Sequence, residues 1–267
     1  MLPQIQLSLI GIGTGNPDHV TGQAVKAINA ADLILLPLKG EDKADLAGLR
    51  RAICEAVLTN PATRIVPFDL PVRDPATPDY VARVNDWHDA IAAVWIRHIR
   101  AHLAAGGGPH VALLVWGDPS LYDSTLRIAE RVGRSLPLTV QVIPGITAIQ
   151  MLCAAHAIPL NDLAAPLVIT TGRRLRDHGW PKDADTVVVM LDAGGAFAML
   201  DPVGVEIWWG AYVGMAEQIL DHGPLAEAGP RIMATRARAR ADHGWIMDIY
   251  LMRRQPPVPQ PPVPQPS

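Results

Sequence analysis

VALLVWGDPSLYDST, residues 111–125, is an apolar run that stops abruptly in a Gly/Pro-rich loop and then resumes as a helical pattern. VQVIPGITAIQMLCAAHAIPL, residues 140–160, repeats the same succession. Strand, tight loop and helix make up the unit that sets small-molecule sites at the carboxyl ends of strands in open α/β sheets. Two such units in a row, one carrying Gly117-Asp118-Pro119 and the other Pro144-Gly145-Ile146-Thr147-Ala148, predict a cofactor cleft.

Outward from these units the elements alternate. IQLSLIGI (5–12) is a nearly continuous apolar run, as expected of a strand buried on both faces. A helix over 21–31 follows, with Thr21 placed to cap it. Then come a short strand at 32–36, a helix at 50–58 and a strand at 64–68. A long helix over 79–105 sets Val84, Trp87, Ile91, Val94, Trp95 and Ile99 at helical spacing. Gly106-Gly107-Gly108-Pro109 punctuates before the strand at 111–115. Beyond residue 160, strands are expected at 166–172, 186–191, 205–211 and 244–254. TRARARAD (235–242) alternates Arg and Ala and reads as a further strand with one solvated basic face. The pattern predicts two α/β domains, 1–163 and 164–254. The tail 255–267, QPPVPQPPVPQPS, is too rich in proline for helix or ladder hydrogen bonds and is expected to be disordered.

Composition narrows the class. The 267 residues are 49% hydrophobic and 18% charged, as in an ordered globular protein. A net charge of −3 argues against broad electrostatic binding to nucleic acid. The two cysteines, Cys54 and Cys153, exclude a disulfide framework or a Cys-rich zinc site and fit a reducing compartment. The N-terminus lacks the basic region of a signal peptide, and no apolar run reaches membrane-spanning length. The expectation is a soluble cytoplasmic enzyme with no membrane partner. His98 and His102 stand one helical turn apart but lack the H-E-x-x-H pattern and a third ligand, so no metal site is expected.

GIGTGN, residues 11–16, follows a strand and invites a dinucleotide-binding reading. Two of its supports fail. The third glycine of G-x-G-x-x-G falls on Asn16. The acidic residue that should close the second strand is displaced: Asp32 precedes that strand, whose end carries Leu36, Pro37 and Lys39.

A more specific set comes from three segments taken together. LSLIGIGTGNPDHVTGQAVKAINAADLILLP, VALLVWGDPSLYDST and VQVIPGITAIQMLCAAHAIPL, in that order, resemble the tetrapyrrole methylase family. The second and third match its Gly-Asp-Pro and Pro-Gly-Ile-Thr-Ala loops residue for residue. The resemblance continues through TTGRR, TVVVML and WWGAY and covers residues 5–254. It implies a homodimeric S-adenosylmethionine-dependent methyltransferase. Its two α/β domains would have mixed sheets, unlike the Rossmann fold of other methyltransferases, and would enclose the cofactor in the cleft between them. By position, the resemblance assigns the cofactor, and its product S-adenosylhomocysteine, to Gly117, Asp118, Leu121, Thr147, Ala148, Met190, Leu191 and Ala211. The physical logic agrees, since glycines let a backbone approach a ligand closely. Thr147 can cap its helix while neighbouring amides face a carboxylate. Standing alone, Asp118 in Gly-Asp-Pro-Ser would be a turn residue, and Met190 and Leu191 read as core residues that also touch the ligand.

Within the family, the inserted NDWHDAIAAVWIRHI helix, TTGRRLRDHGWP, WWGAYVGMAEQILDHGPL and ADHGWIMDIYLMRR are most similar to members that methylate precorrin-5 at ring carbon C-1 in cobalamin biosynthesis and release its acetyl group as acetate. A sulfonium methyl is already activated, so catalysis is mostly alignment. Loss of the acetyl group additionally needs water and a group to manage its proton. Asp18, after the glycine loop, and Tyr122, beyond Gly-Asp-Pro, are the candidates, with a helix start as the plain alternative for Asp18. For the carboxylates of the macrocycle the candidates are Arg173, Arg174 and Arg176, with His88 on the inserted helix. A solvated loop and a surface histidine are the competing readings there. Alternatives of other kinds are another tetrapyrrole or rRNA methylation, a dinucleotide-dependent oxidoreductase, and a non-catalytic ligand-binding module.

Overall fold

The computed structural model describes residues 2–38, 44–73 and 79–254. Lys39 and the proline-rich tail lie outside these residues. The first half forms β1 (Ile5–Gly11), β2 (Leu33–Leu38), β3 (Arg64–Asp69), β4 (His110–Val115) and β5 (Leu138–Ile143). They assemble in the order β3-β2-β4-β1-β5, every pair parallel. Between them run α1 (Gly22–Ala30), α2 (Ala44–Val57), α3 (Tyr80–Ala104) and α4 (Thr125–Gly133).

The period-two geometry of a strand explains why the central strands β2 and β4 are apolar at nearly every position. Leu7, Leu9, Leu33, Leu35, Val111 and Leu113 pack with Ile91, Trp95 and Ile99 of α3 and Ile128 and Val132 of α4. Their neighbours Ile10, Ile34, Ala112 and Leu114 pack with Ala24 and Ile28 of α1 and Ile53 and Cys54 of α2. Both faces are covered, so both must be apolar. The helix after β1 lies on one face and the helix after β4 on the other, and β1 and β4 are adjacent. Their carboxyl ends are therefore the topological switch point of the sheet. Caps fix the helix starts: Thr21 Oγ1 accepts from the Ala24 amide at 3.1 Å, and Asp79 from those of Val81 and Ala82 at 2.7 and 3.2 Å.

By contact, the chain divides between Ala148 and Ile149. α5 (Ala148–His156) thus falls, from Ile149 on, in the second unit, ahead of the boundary between 163 and 164 that the sequence pattern predicts. There, Leu152 Cδ1 lies 3.0 Å from where a Cβ on Gly210 would sit, and His156 Nε2 donates to the Trp209 carbonyl at 2.9 Å. β6 (Leu167–Thr171), α6 (Gly172–His178), β7 (Thr186–Met190), β8 (Val205–Ala211), β9 (Ile219–Pro224), α7 (Leu225–His243) and β10 (Asp248–Arg254) complete the unit. Its sheet runs β6-β7-β10-β8-β9, with β6 parallel to β7 and the other pairs antiparallel. The expectation of mixed sheets therefore holds for this unit alone.

Two local expectations change. TRARARAD is helical, the last part of α7. Arg and Ala are strong helix formers, and helical spacing puts Ala228, Ile232, Arg236 and Ala239 on the buried side while Arg238 and Arg240 are exposed. The i, i+2 alternation of arginine was coincidental. β9, which periodicity did not reveal, is a short edge strand with Asp221, His222 and a terminal Gly223-Pro224, tolerated because an edge leaves one side unpaired. No helix among the described residues is long and apolar enough to cross a membrane.

Candidate active site

At the switch point, three loops meet through their main chains. Gly13 and Gly117 form an isolated antiparallel bridge, with the Gly117 amide donating to the Gly13 carbonyl at 2.8 Å. Gly145, just after β5, lies against both: a Cβ there would stand 2.1 Å from the Gly117 carbonyl oxygen and 2.7 Å from the Gly11 carbonyl carbon. A Cβ on Gly11 would fall 2.6 Å from the Gly145 amide nitrogen. Only glycine permits this approach at Gly11 and Gly145, whereas Gly117 is favoured by its left-handed φ of 60°.

Asp118 ties the junction together. Its Oδ2 accepts from the Gly145 amide at 2.9 Å, and its Oδ1 from the amide of Ser120 at 2.8 Å and from the Ser120 hydroxyl. Burial works against the charged form, but the Ser120 hydroxyl and the Gly145 and Ser120 amides together hold the carboxyl below its ordinary range. Asp118 is thus both the turn residue and the clasp between the β4 and β5 loops. Its carboxylate faces the protein, and what it offers a ligand is the placement of its neighbours. Gly117, with φ 60°, Leu121 and Ala148 are half-buried around it, and Thr147 is buried. Tyr122 is 46% exposed and takes a left-handed backbone, φ 50°. Asp18 is exposed in a short 3-10 turn, Pro17–His19, where its amide donates to Asn16 Oδ1 at 2.9 Å. Thr14 Oγ1 and Trp116 Nε1 flank the Gly13–Gly117 bridge, buried and without a hydrogen-bond partner among the described residues. The junction therefore retains polar capacity that the protein itself does not use.

In the second unit the carboxyl ends of β6, β7 and β8 share one edge of the sheet, because β6 runs with β7, and both β7 and β8 oppose β10 in matching register. Met190 is half-buried at the end of β7 and Ala211 fully buried at the end of β8. Leu191 takes φ 53° and is 66% exposed, while Tyr212 takes φ 50° and is buried. A left-handed backbone costs a residue with a Cβ about 1–2 kcal/mol, and such strain gathers at ligand sites. Beneath these positions lies a polar network that the sequence did not announce. Asp192 accepts from Arg176 Nη1 at 2.8 Å, the Tyr250 hydroxyl at 2.7 Å and the Ala196 amide at 2.5 Å. Arg236 donates to Asp248 Oδ2 at 2.6 Å and to the Asp192 carbonyl at 2.6 Å, and Trp209 Nε1 reaches Asp248 at 2.8 Å. Burial opposes the charge of Asp192, yet the Ala196 amide, the Tyr250 hydroxyl, the Gly194 amide and Arg176 hold its carboxyl below the ordinary range. Gly172 is required because a Cβ would stand 2.2 Å from Asp192 Cγ. The one sequence signal was Asp192 ahead of Gly194-Gly195, an acidic residue placed to bind the amides of a turn.

The arginine cluster splits. Arg173 and Arg174 are exposed at the start of α6, Arg173 at 4.0 Å from Asp177, whereas Arg176 is drawn to the buried Asp192. His88 is 2% exposed, with both ring nitrogens unpartnered among the described residues. Burial, then the charges of Arg131, Arg127 and Arg73, lower its pKa, so it is a neutral interior ring. Asp32 accepts from the His110 amide at 2.9 Å, at the amino ends of β2 and β4. That is the edge opposite the glycine junction, so it cannot serve as the ribose anchor of a dinucleotide there.

A model of the tetrapyrrole (corrin/porphyrin) methylases matches residues 6–229. The chain belongs to the tetrapyrrole methylase family. It is 47% identical over 251 residues to precorrin-6A synthase (deacetylating) of Sinorhizobium sp, covering 93% of this chain and 95% of that one. A cobalamin-synthesis-related protein (CobF) of Corynebacterium diphtheriae superposes with a TM-score of 0.79 at 38% identity, over 94% of this chain and 99% of that one. The uroporphyrin-III C-methyltransferase of Thermus thermophilus, solved with S-adenosyl homocysteine, shares the fold at a TM-score of 0.57 and 17% identity, over 93% and 97% of the two chains. In this tetrapyrrole methylase the glycine junction and its unused polar groups fit a cofactor that is met chiefly by backbone.

Proposed function

We propose that this tetrapyrrole methylase transfers a methyl group from S-adenosylmethionine to C-1 of precorrin-5 and releases the acetyl group as acetate, giving precorrin-6A in cobalamin biosynthesis. The observation that carries the reading is 47% identity, spread over 93% of the chain, to a protein named for that product and that deacetylation. S-adenosylmethionine, when bound, supplies a methyl already activated as a sulfonium. The protein's part is then alignment, which in a well-oriented site is worth several orders of magnitude in rate.

In the first unit, Gly117, Asp118, Leu121, Thr147 and Ala148 would hold the cofactor through the backbone that the Asp118 clasp fixes. In the second, Met190, Leu191 and Ala211 would line it at the strand ends, with the strained Leu191 presenting its exposed side chain. Asp18 and Tyr122, both exposed on loops at the carboxyl ends of β1 and β4, are assigned to proton management during loss of the acetyl group. Macrocycle carboxylates are assigned to Arg173 and Arg174, while Arg176 orders the loop through Asp192 and His88 supports the interior. The enzyme is assigned to the cytoplasm as a homodimer.

Calorimetric titration tests the cofactor assignment. S-adenosylhomocysteine should bind at one site per chain and NADP should not bind. Binding of NADP in its place would overturn the reading.

A further inference from the structure

The carboxyl end of β4 carries a feature that the glycine junction leaves unexplained: Arg50, on α2. Ile53 and Cys54, three and four residues on, face the sheet, so helical periodicity sets Arg50 on the same side. Its Nε donates to the Leu114 carbonyl at 3.3 Å, and its Cζ lies 5.1 Å from the centroid of the Trp116 ring. Leu114 and Trp116 bracket the last residue of β4, and Trp116 immediately precedes the bridging Gly117. The guanidinium is therefore seated beside the candidate active site.

Among the described residues no carboxylate is paired with it. Arg131, Arg236 and Arg253 have side chains only 15%, 8% and 14% exposed, and each has a carboxylate, at 2.7, 2.6 and 3.3 Å. Arg50 has none within ion-pair distance among the described residues. Burial pushes its pKa down to about 10, opposed by the charge of Asp123. The Asp123 carboxylate is itself engaged, accepting from the Thr125 amide and hydroxyl at 2.6 and 2.5 Å. A guanidinium withdrawn from water without a carboxylate is costly. The planar fork is suited to accept one bidentately, and stacking on an indole leaves its edge free to do so.

We propose that Arg50 anchors a carboxylate-binding subsite at the carboxyl end of β4, with the Trp116 ring as the shelf that holds the guanidinium in place. The inference rests on the methyltransferase reading only for the source of the carboxylate. That source is either an acidic side chain of the macrocycle or the amino-acid carboxylate of the cofactor, and the two can be told apart.

Arg50→Ala, Arg50→Gln and Arg50→Lys would be measured with two probes that need no turnover. S-adenosylhomocysteine would be followed by calorimetry. Uroporphyrin, a stable tetrapyrrole whose side chains are carboxylates, would be followed by quenching of tryptophan fluorescence, with Trp116→Phe to identify the reporting ring. Removal of the guanidinium should weaken one probe roughly ten- to hundredfold, the range for a hydrogen-bonded charge. Arg50→Lys should recover only part, since a point charge cannot form the fork. Loss confined to uroporphyrin assigns the macrocycle, and loss of S-adenosylhomocysteine assigns the cofactor. Arg50→Gln keeps an amide donor for the Leu114 carbonyl and so guards against a folding defect. If Arg50→Gln binds both probes as the unaltered protein does, or if the unaltered protein binds neither, the subsite is refuted. Affinity lost in Arg50→Gln by a protein that fails to turn over precorrin-5 would support the subsite and reject the substrate.

Discussion

Replacing Gly145 with alanine tests whether the loops after β1, β4 and β5 really meet backbone to backbone. The new Cβ would stand 2.1 Å from the Gly117 carbonyl oxygen, 2.7 Å from the Gly11 carbonyl carbon and 2.8 Å from Gly11 Cα. All three are main-chain atoms of segments fixed by neighbouring strands, so no side chain can swing aside. Ordinary overpacking costs about 1–3 kcal/mol. Displacing the loop also breaks the 2.9 Å bond from the Gly145 amide to Asp118, and a bond to a charged group is worth about 1.5–3 kcal/mol. Together these give about 2.5–6 kcal/mol, a fall in Tm of about 5–24 °C for a chain of this size. Two controls bracket the result in the same thermal melts. Gly117 has φ 60° but its nearest atom is 3.6 Å away, so Gly117→Ala should cost only the backbone term of about 1–2 kcal/mol. Gly48 lies in α2 with nothing within 4 Å, so Gly48→Ala should stabilise by about 1 kcal/mol. S-adenosylhomocysteine affinity should collapse in Gly145→Ala and be unchanged in Gly48→Ala. A Gly145→Ala protein that melts within about 2 °C of the original and binds the cofactor product normally would refute the close-packed junction.

Three further outcomes follow from the same geometry. Asp118 and Asp192 titrate below the ordinary carboxylate range when folded, so as pH falls through that range the unfolded chain takes up protons before the folded one does. Their contribution is complete above about pH 5 and is lost as pH falls through about 4 and below; the acid limb of a pH–stability curve, followed by circular dichroism, should be shallower in Asp118→Asn. Asp248→Ala strands Arg236, whose side chain is 8% exposed, and removes the acceptor of Trp209. Urea melts should lose about 3–5 kcal/mol, with an Arg236→Met/Asp248→Leu pair far milder; equal losses would remove the network from the account. Leu191→Gly relieves a left-handed leucine that is 66% exposed, so Tm should rise by about 2–4 °C per kcal/mol relieved while S-adenosylhomocysteine affinity falls. Unchanged affinity would take Leu191 out of the site.

The first sheet was legible because each of its strands reports its own environment. Residues 111–115 are apolar throughout, and β1 sends Ile5, Leu7 and Leu9 to one face and Ile10 to the other; both faces are in fact covered. The glycine junction was legible for a similar reason, since close backbone approach restricts Gly145 and a left-handed φ of 60° favours glycine at Gly117. What the sequence concealed depends on partners far along the chain. Asp192 meets Tyr250, 58 positions on, and Arg50 meets Leu114 and Trp116 across more than sixty residues; nothing local marks either pairing. The Arg/Ala alternation at 235–242 misled because period two carries no weight unless one face is apolar, and here Arg236 itself is on the buried side. Arg176 looked like its neighbours Arg173 and Arg174 until Asp192 distinguished it.

The most direct test of the central claim is anaerobic incubation with methyl-labelled S-adenosylmethionine and enzymatically prepared precorrin-5, read by mass spectrometry of the macrocycle and an assay for acetate. Labelled methyl should appear in the macrocycle, with one acetate released for each methyl gained. Methyl without acetate would contradict the deacetylating reading, and neither product from a protein that binds S-adenosylhomocysteine would contradict the substrate.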